Sequence, residues 1–150
     1  MAVGSLVLTW ATAISTNAGS GRKIIFRYAE QLSPTFDRAS HPIRIIIAWK
    51  YEAGNGQPIA EDYQRMTSLE DALESALEED HLATLALVST GEDLREWTYY
   101  TKSENEFMAR LNYALCGIPA FPIEIHTASD PNWDMYEQFK AGVSENRVNE

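Results

Sequence analysis

The chain begins with two stretches in which apolar and polar positions alternate. In residues 5–14 one row of alternate positions consists of Leu6, Leu8, Trp10, Thr12 and Ile14. Residues 23–28 alternate in the same way, with one row formed by Ile24, Phe26 and Tyr28. A period of two is typical of a β-strand, and the small polar residues between the two stretches favour a loop. The pattern therefore predicts an N-terminal hairpin over residues 5–28.

Four further segments have the composition of strands. β-Branched, aromatic and other apolar residues dominate residues 43–51, 82–88, 94–101 and 121–127. The second of these segments has apolar residues on both faces, which is typical of a central strand. Turn-forming residues follow several of these segments, so we predict four separate strands.

The first helix is predicted from a capping box. Thr67 precedes Glu70 by three residues, and apolar residues then recur at helical spacing as far as Asp80. This pattern predicts a helix with Thr67 as its N-cap and Asp80 near its end. Residues 59–66 are compatible with a separate short helix, which the pattern leaves undecided.

Two more helices follow. Ser103 and Glu106 form a second capping box, and Gly117 ends the helix that the box opens. A short C-terminal helix is predicted over residues 129–140, where Asp130 acts as N-cap and the proline after it occupies the first helical position.

The order of these elements predicts an α+β fold with a single domain over residues 1–150. From residue 43 to 128 the order is β-α-β-β-α-β, which is that of a ferredoxin-like sandwich with an antiparallel sheet. We expect two helices on one face of the sheet, the short helix over residues 129–140 and a frayed tail over residues 141–150. The N-terminal β-hairpin extension either lengthens the sheet or covers the face that the two helices leave open.

Composition places the chain among ordinary globular proteins. It has 150 residues, of which 45% are hydrophobic and 23% are charged, and this suits one domain with its own core. The single cysteine, Cys116, excludes an internal disulfide. No basic residue precedes Arg22, and no apolar stretch has the length of a secretory signal or a membrane span. We therefore expect a cytoplasmic location and no membrane partner.

Negative charge is concentrated in one segment. The formal net charge is −10, which opposes nucleic-acid binding because phosphate neutralisation requires clustered basic residues. Residues 61–80 hold eight acidic residues and one basic residue, Arg65. We predict that a basic protein partner docks on five acidic side chains of this helix: Glu70, Glu74, Glu78, Glu79 and Asp80. The alternative is a solvated acidic face that only aids solubility.

Polar side chains near the last predicted strand form a second candidate site. Glu124 and His126 share one face of that strand, and Asp130 follows after a short turn. Together with Asp134, these groups are candidates for binding a divalent metal or for supplying a general base. The alternative assigns Asp130 to a helix cap and leaves the other side chains on the surface. No cofactor is predicted.

The strand over residues 94–101 carries a third candidate site. Arg95, Trp97 and Tyr99 share one of its faces, and together with Trp133 of the last helix they are candidates for binding a small ligand. The pocket would lie between the sheet and the hairpin, with Arg95 and the polar groups of the second site inside it. The alternative is that these aromatic rings pack in the core.

Two segments resemble a known family. Residues 94–101, Leu-Arg-Glu-Trp-Thr-Tyr-Tyr-Thr, resemble the R-E-x-x-x-Y strand of the family called domain of unknown function 695. Residues 130–136, Asp-Pro-Asn-Trp-Asp-Met-Tyr, resemble its closing D-P-x-W-x-x-Y box. The resemblance implies a bacterial, ferredoxin-like α+β domain with no assigned catalytic residues. More distantly, the chain is similar to the ribonuclease E inhibitor protein B family, whose members are small acidic proteins.

These observations predict a non-enzymatic protein-interaction or inhibitor module. Its acidic helix would dock a basic partner, and the distant resemblance suits inhibition of a nuclease. The alternative is a metal-binding or small-ligand-binding protein, or a hydrolase, with a site around Glu124, His126 and Asp130. A homodimer formed through the sheet edge or the open face would also suit the predicted fold.

Overall fold

The computed structural model describes residues 6–118 and 120–148. Within these residues six strands form: β1 Val7–Thr16, β2 Lys23–Leu32, β3 Ile43–Lys50, β4 Ala83–Gly91, β5 Leu94–Thr101 and β6 Ile123–Ser129. The α-helices of the same residues are α1 Ala60–Leu73, α2 Glu104–Ala114 and α3 Asp134–Val148. A 3₁₀ turn, Arg38–Ser40, precedes β3, and a π-helical turn, Glu74–Glu78, continues α1.

The six strands belong to one antiparallel sheet with the order β1-β2-β4-β5-β3-β6. Residues 25–28 of β2 pair with residues 87–90 of β4, so the hairpin lengthens the sheet and does not lie across its face. Strands β1 and β6 therefore form the two edges. The mixed α+β class is confirmed. Strand β5 has its predicted bounds, and the ends of the other strands shift by at most four residues.

The main core lies between one face of the sheet and helices α1 and α2. The sheet contributes Ile45, Ile47, Trp97 and Tyr99, and all four are fully buried. The facing stripe of the helices consists of Met66, Leu69, Leu73, Phe107 and Leu111. These helical residues recur at intervals of three and four, so each helix buries one side and leaves the other to solvent.

Helix α3 covers the opposite face of the sheet. Trp133 stacks on Tyr100 of β5, with ring centroids 4.1 Å apart and an interplanar angle of 8°. Its indole Nε1 donates to the His41 carbonyl at 3.0 Å. The Tyr136 hydroxyl donates to the Ala29 carbonyl at 2.5 Å. The start of α3 is thereby fixed to a central strand and to the hairpin at once.

Helix α1 begins earlier than the first capping box predicts. It starts at Ala60 and runs through Thr67, whose hydroxyl donates to the Tyr63 carbonyl at 3.1 Å. The predicted N-cap at Thr67 is wrong because the residues before it continue the same helix, with Met66 fully buried against the sheet. The undecided segment 59–66 is therefore the first part of α1.

Only the N-cap half of the second capping box is confirmed, because the Ser103 backbone N–H donates to Thr101 Oγ1 at 3.4 Å and the Glu106 carboxylate accepts from Arg110 at 3.2 Å. Ser103 Oγ accepts the Glu106 backbone N–H at 3.2 Å and opens α2. Gly117, just beyond the helix, has φ of 80°, a left-handed conformation that glycine adopts without steric cost. None of the helices in the described residues is long and apolar enough to cross a bilayer.

Helix α3 differs from its prediction at both ends. Asp130 caps it from four residues upstream, because its Oδ1 accepts the Asp134 backbone N–H at 2.8 Å. A turn with Trp133 at φ of 57° separates the two residues. The helix continues to Val148, beyond the predicted end at Lys140, since no proline interrupts that segment. Residues 149–150 of the predicted tail lie outside the described residues.

Gly91→Ala tests the close approach of β2 and β4. A Cβ at Gly91 would lie 2.5 Å from the Lys23 carbonyl oxygen and 2.8 Å from the Ile24 Cα, which requires the backbone to shift. We expect the free energy of unfolding in urea to fall by about 1–3 kcal/mol. Gly142→Ala is the matched control, because a Cβ there meets no atom within 4 Å. Within α3 it should raise stability by about 0.5–1 kcal/mol, and equal effects of the two substitutions would contradict the assigned packing.

Candidate functional site

A cleft of about 440 Å³ opens between the hairpin and helix α1. It lies on the same face of the sheet as the main core, next to the core residue Val88. Its walls come from β1, β2, β4, β5, α1 and the loop before α1. Its polar lining includes Arg27, Gln57, Thr67, Glu70, Thr90 and Arg95.

The Glu70 carboxylate is the central acceptor of this cleft. Its Oε1 accepts from the Arg27 guanidinium at 2.5 Å and from the Trp97 indole Nε1 at 2.8 Å. A third donor, Arg95 Nη2, lies at 3.5 Å. The donors belong to β2 and β5, whereas Glu70 belongs to α1. One carboxylate oxygen therefore joins the hairpin, the middle of the sheet and the helix.

Arg95 lies on the floor of the cleft and is only 6% exposed. Its guanidinium lies between two rings, 5.4 Å from the Tyr63 centroid and 5.1 Å from the Trp97 centroid, where the aromatic faces attract its charge. Its Nη1 donates to Thr90 Oγ1 at 3.2 Å. Its Nε–H is buried and has no hydrogen-bond partner among the described residues. A buried donor without an acceptor costs free energy, so the chain alone does not satisfy this group.

Arg27 supplies a second positive charge. Its side chain is 39% exposed, and its guanidinium carbon lies 5.5 Å from the centroid of the Trp10 ring. Two guanidinium groups thus share one carboxylate. The three side chains together carry one net positive charge in a partly buried environment. Such an arrangement favours binding of an anion, because hydrogen bonds between charged partners are the strong ones.

Local sequence explains how the side chains reach the cleft. Tyr63, Thr67 and Glu70 recur at intervals of four and three residues, so they share one side of α1. Arg27 and Arg95 lie in the alternating rows of β2 and β5 that face this helix. The pairing of β2 with β4 then brings the two arginines to the same end of the sheet.

Two of the five acidic residues predicted to dock a partner point inward. Glu70 serves the cleft, and Glu78 accepts the Leu85 backbone N–H at 3.0 Å, where the register of β4 shifts. Burial raises the pKa of Glu78 to about 7. The hydrogen bond from Leu85 and the charge of Arg27 lower this pKa, whereas the charges of Glu74 and Glu70 raise it.

The other three predicted docking residues, Glu74, Glu79 and Asp80, are exposed. Asp80 accepts from Arg110 of α2 at 2.7 Å, and this hydrogen bond lowers the pKa of Asp80. Glu79 accepts the Ser75 hydroxyl at 3.3 Å. The five side chains therefore occupy three different surroundings, and docking of a basic partner stays a prediction.

The site predicted around β6 is not assembled as expected. Glu124 and His126 share an exposed face with 3.6 Å between their nearest atoms, but Asp130 is engaged elsewhere. Its Oδ2 accepts the Tyr100 hydroxyl at 2.8 Å and Arg44 at 3.4 Å. Burial opposes the charge of Asp130, yet these bonds and the α3 backbone lower its pKa. Within the described residues, no group of three His, Cys, Asp or Glu side chains is placed to hold a metal.

Three aromatic residues predicted to bind a ligand are core residues. Trp97, Tyr99 and Trp133 have no exposed surface, so a ligand does not reach their faces. Burial raises the pKa of Tyr99 well above its ordinary value. Trp97 nevertheless serves the cleft indirectly, because it orients Glu70 and supports Arg95.

Comparison with known proteins places the chain in a family. The family described as "Family of unknown function (DUF695)" matches residues 9–140. The chain belongs to this family. No curated protein matches it. The matched range contains every residue that lines the cleft, so the cleft lies within the part of the chain that matches the family. The similarity to ribonuclease E inhibitors stays a prediction.

Sequence reasoning selected only part of the cleft. It chose Arg95 for a ligand site, assigned Glu70 to a different surface and missed Arg27 and Tyr63. A signal was present, because Tyr63, Thr67 and Glu70 share helical spacing beside the buried stripe. The missing information was the pairing of β2 with β4, which brings Arg27 opposite this side of the helix.

Glu78→Gln tests the inward-facing carboxyl of the π-helical turn. The pKa of Glu78 is about 7 in the folded chain, against an ordinary value of 4.5, so the unfolded chain releases this proton at lower pH. The free energy of unfolding should therefore fall as pH rises from about 4.5 to about 7, and level off above that. We expect a decrease of roughly 1–3 kcal/mol, since one pKa unit corresponds to about 1.4 kcal/mol.

Chemical denaturation across this pH range measures the effect as the difference between wild type and Glu78→Gln. The glutamine keeps an acceptor for Leu85 but removes the titration, so this part of the slope should disappear. His41, whose pKa burial lowers, contributes an opposite slope that is the same in both proteins. Glu79→Gln is the exposed control and should retain the wild-type slope. A wild-type slope in Glu78→Gln would show that the carboxyl titrates normally.

Proposed function

We propose that this chain is a binding domain for a small organic anion, and that the anion occupies the cleft beside Arg27 and Arg95. The observation that carries this proposal is Arg95, which lines the cleft and whose Nε–H is buried and has no acceptor among the described residues. An anionic oxygen is the natural acceptor for a guanidinium donor.

The charge of the cleft supports the same function. Among the residues that line the cleft, two guanidinium groups pair with a single carboxylate, that of Glu70. A volume of about 440 Å³ is within the range of small-molecule sites in proteins.

Binding without catalysis suits the lining best. The described lining residues include no histidine or cysteine. The only carboxylate among them, Glu70, is engaged by two arginines and an indole, which disfavours proton transfer from a substrate. We therefore propose a non-enzymatic role for this cleft.

We also propose that residues 43–129 are a ferredoxin-like unit to which the hairpin and α3 are added. The sheet order β4-β5-β3-β6 and the succession of strand, helix, strand, strand, helix, strand over these residues support this classification.

Docking of a basic protein is a second candidate function. It is supported by the exposed acids Glu74 and Glu79 and by the position of Arg65, the single basic residue of the segment 61–80. The Arg65 guanidinium lies 5.2 Å from the Trp49 ring centroid, so its charge is drawn toward the sheet and the acids dominate the outer side of α1. The distant resemblance to ribonuclease E inhibitors also agrees with this candidate.

Titration with small anions tests the primary proposal. We expect benzoate to shift the ¹H–¹⁵N resonance of Arg95 Nε, because the Nε–H gains an acceptor. Arg27→Gln should weaken benzoate binding by about tenfold or more, since a hydrogen bond between charged groups contributes about 1.5–3 kcal/mol. Arg22→Gln is the matched control. Arg22 lies in the same hairpin but pairs with Glu92 on the surface, so its loss should leave the affinity unchanged. An unshifted Arg95 Nε resonance at saturating benzoate, acetate and inorganic phosphate would overturn the proposal.

Charge reversal tests the second candidate. Wild type, a double variant with Glu74→Lys and Glu79→Lys, and a control with Glu104→Lys would each be used to capture proteins from source cells. We expect a basic protein that wild type and the α2 control retain, that the double variant loses, and that salt releases. Equal retention by all three proteins would contradict docking through the acidic side of α1.

A further inference from the structure

We propose that the ligand of the cleft is a monocarboxylate with a flat apolar body. This inference rests on the proposed anion-binding function and specifies the chemistry of the ligand. The carboxylate would meet Arg27 and the Nε–H of Arg95, and the apolar body would extend toward the outer rim formed by Ile25 and Tyr63.

The charge balance of the cleft favours a single negative charge on the ligand. Arg27 and Arg95 together carry two positive charges, and Glu70 carries one negative charge at 2.5 and 3.5 Å from them. One carboxylate therefore completes neutrality. A phosphate dianion would add a second negative charge close to Glu70 in a partly buried place, where like charges repel strongly.

Two polar side chains of the cleft already donate their hydrogens within the chain. The Gln57 amide donates to the carbonyls of Lys23 and Thr90 at 2.7 and 3.2 Å. The Thr67 hydroxyl donates to the Tyr63 carbonyl at 3.1 Å. The other side-chain donors of the lining are the two guanidinium groups and the hydroxyls of Thr12, Tyr63 and Thr90. A ligand with several phosphate groups would exceed them, and its polar atoms would lose water without replacement.

The rim of the cleft offers apolar and aromatic surface. Ile25 is 38% exposed and Tyr63 is 52% exposed, and both line the cleft. Val88, which also lines it, is a core residue. Trp10 stands beside Arg27 and is 39% exposed. A flat apolar group placed against these side chains would remove their surface from water, which contributes binding free energy in proportion to the area buried.

Four probes separate the charge of the head group from the apolar body. They are acetate, phenylacetate, phenylacetamide and phenyl phosphate, each titrated into the wild-type chain by calorimetry and followed at the Arg95 Nε resonance. We expect phenylacetate to bind at least about tenfold more tightly than acetate, because its ring buries apolar surface. Phenylacetamide, which lacks the charge, and phenyl phosphate, which carries a second one, should each bind at least about tenfold more weakly than phenylacetate.

Two single substitutions locate the apolar body. Ile25→Ala should weaken phenylacetate binding severalfold and leave acetate binding nearly unchanged. Tyr63→Ala should weaken phenylacetate binding more than acetate binding, and it should weaken acetate binding as well, because the Tyr63 ring also contacts the Arg95 guanidinium. Tyr113→Ala is the matched control, because Tyr113 is 86% exposed on α2 and outside the cleft. It should change neither affinity.

The outcomes distinguish this inference from the proposed function. Equal affinities for acetate and phenylacetate would contradict the proposal that the ligand has an apolar body, but they would not contradict anion binding. Binding of phenyl phosphate more tightly than phenylacetate would contradict a single negative charge on the ligand. Binding of phenylacetamide as tight as that of phenylacetate would overturn anion binding itself, as would the absence of any response to the charged probes.

Discussion

The three hydrogen bonds to one oxygen of Glu70 join parts of this protein that are far apart in the sequence. The hairpin residue Arg27, the central-strand residue Arg95 and the core residue Trp97 all donate to this oxygen. Breaking a partly buried ion pair leaves an uncompensated charge and is costly, even when the intact pair adds little stability. The carboxylate therefore fixes the hairpin against α1, and the cleft exists because the two elements are held together at this contact but apart beyond it.

The second face of the sheet obeys a different constraint. The Tyr100 ring lies on that face, and Trp133 stacks on it with almost parallel planes. The turn before α3 permits this stacking, because Asp130 accepts both the Tyr100 hydroxyl and the backbone N–H of Asp134. Residue Arg38 adds a further link, since it lies over the Trp133 ring and pairs with Glu137. The two faces of the sheet are thus covered by helices for separate reasons, one by apolar stripes and the other by stacked rings and a buried carboxylate.

The acidic segment illustrates how a single charge pattern divides in three dimensions. Along the chain, Glu70, Glu74 and Glu78 recur every four residues and resemble one surface. In the fold, Glu70 is bound by arginines, Glu74 faces solvent and Glu78 contacts the Leu85 backbone. Helical spacing alone places these residues on one side of a helix, but that side straddles the boundary between the sheet and solvent. The π-helical turn at Glu74–Glu78 further changes the direction in which the side chains of this segment point. No sequence pattern predicted this turn.

The sequence by itself determined the six strands, the presence of three helices, the α+β class and membership of the family, because hydrophobic periodicity, a serine cap and turn residues are local signals. It also selected Arg95 as a candidate ligand-binding residue, on the same strand face as Trp97 and Tyr99. Tertiary structure decided how β2 pairs with β4, that α1 extends upstream of Thr67, and that Asp130 accepts from Tyr100 and Arg44 while Glu124 and His126 stay on the surface. These features depend on contacts between residues far apart in the chain, and their energies arise only after the sheet has formed. The cleft is also a feature that tertiary structure decided, since its arginines come from different strands and contact Glu70 only because α1 packs on the sheet.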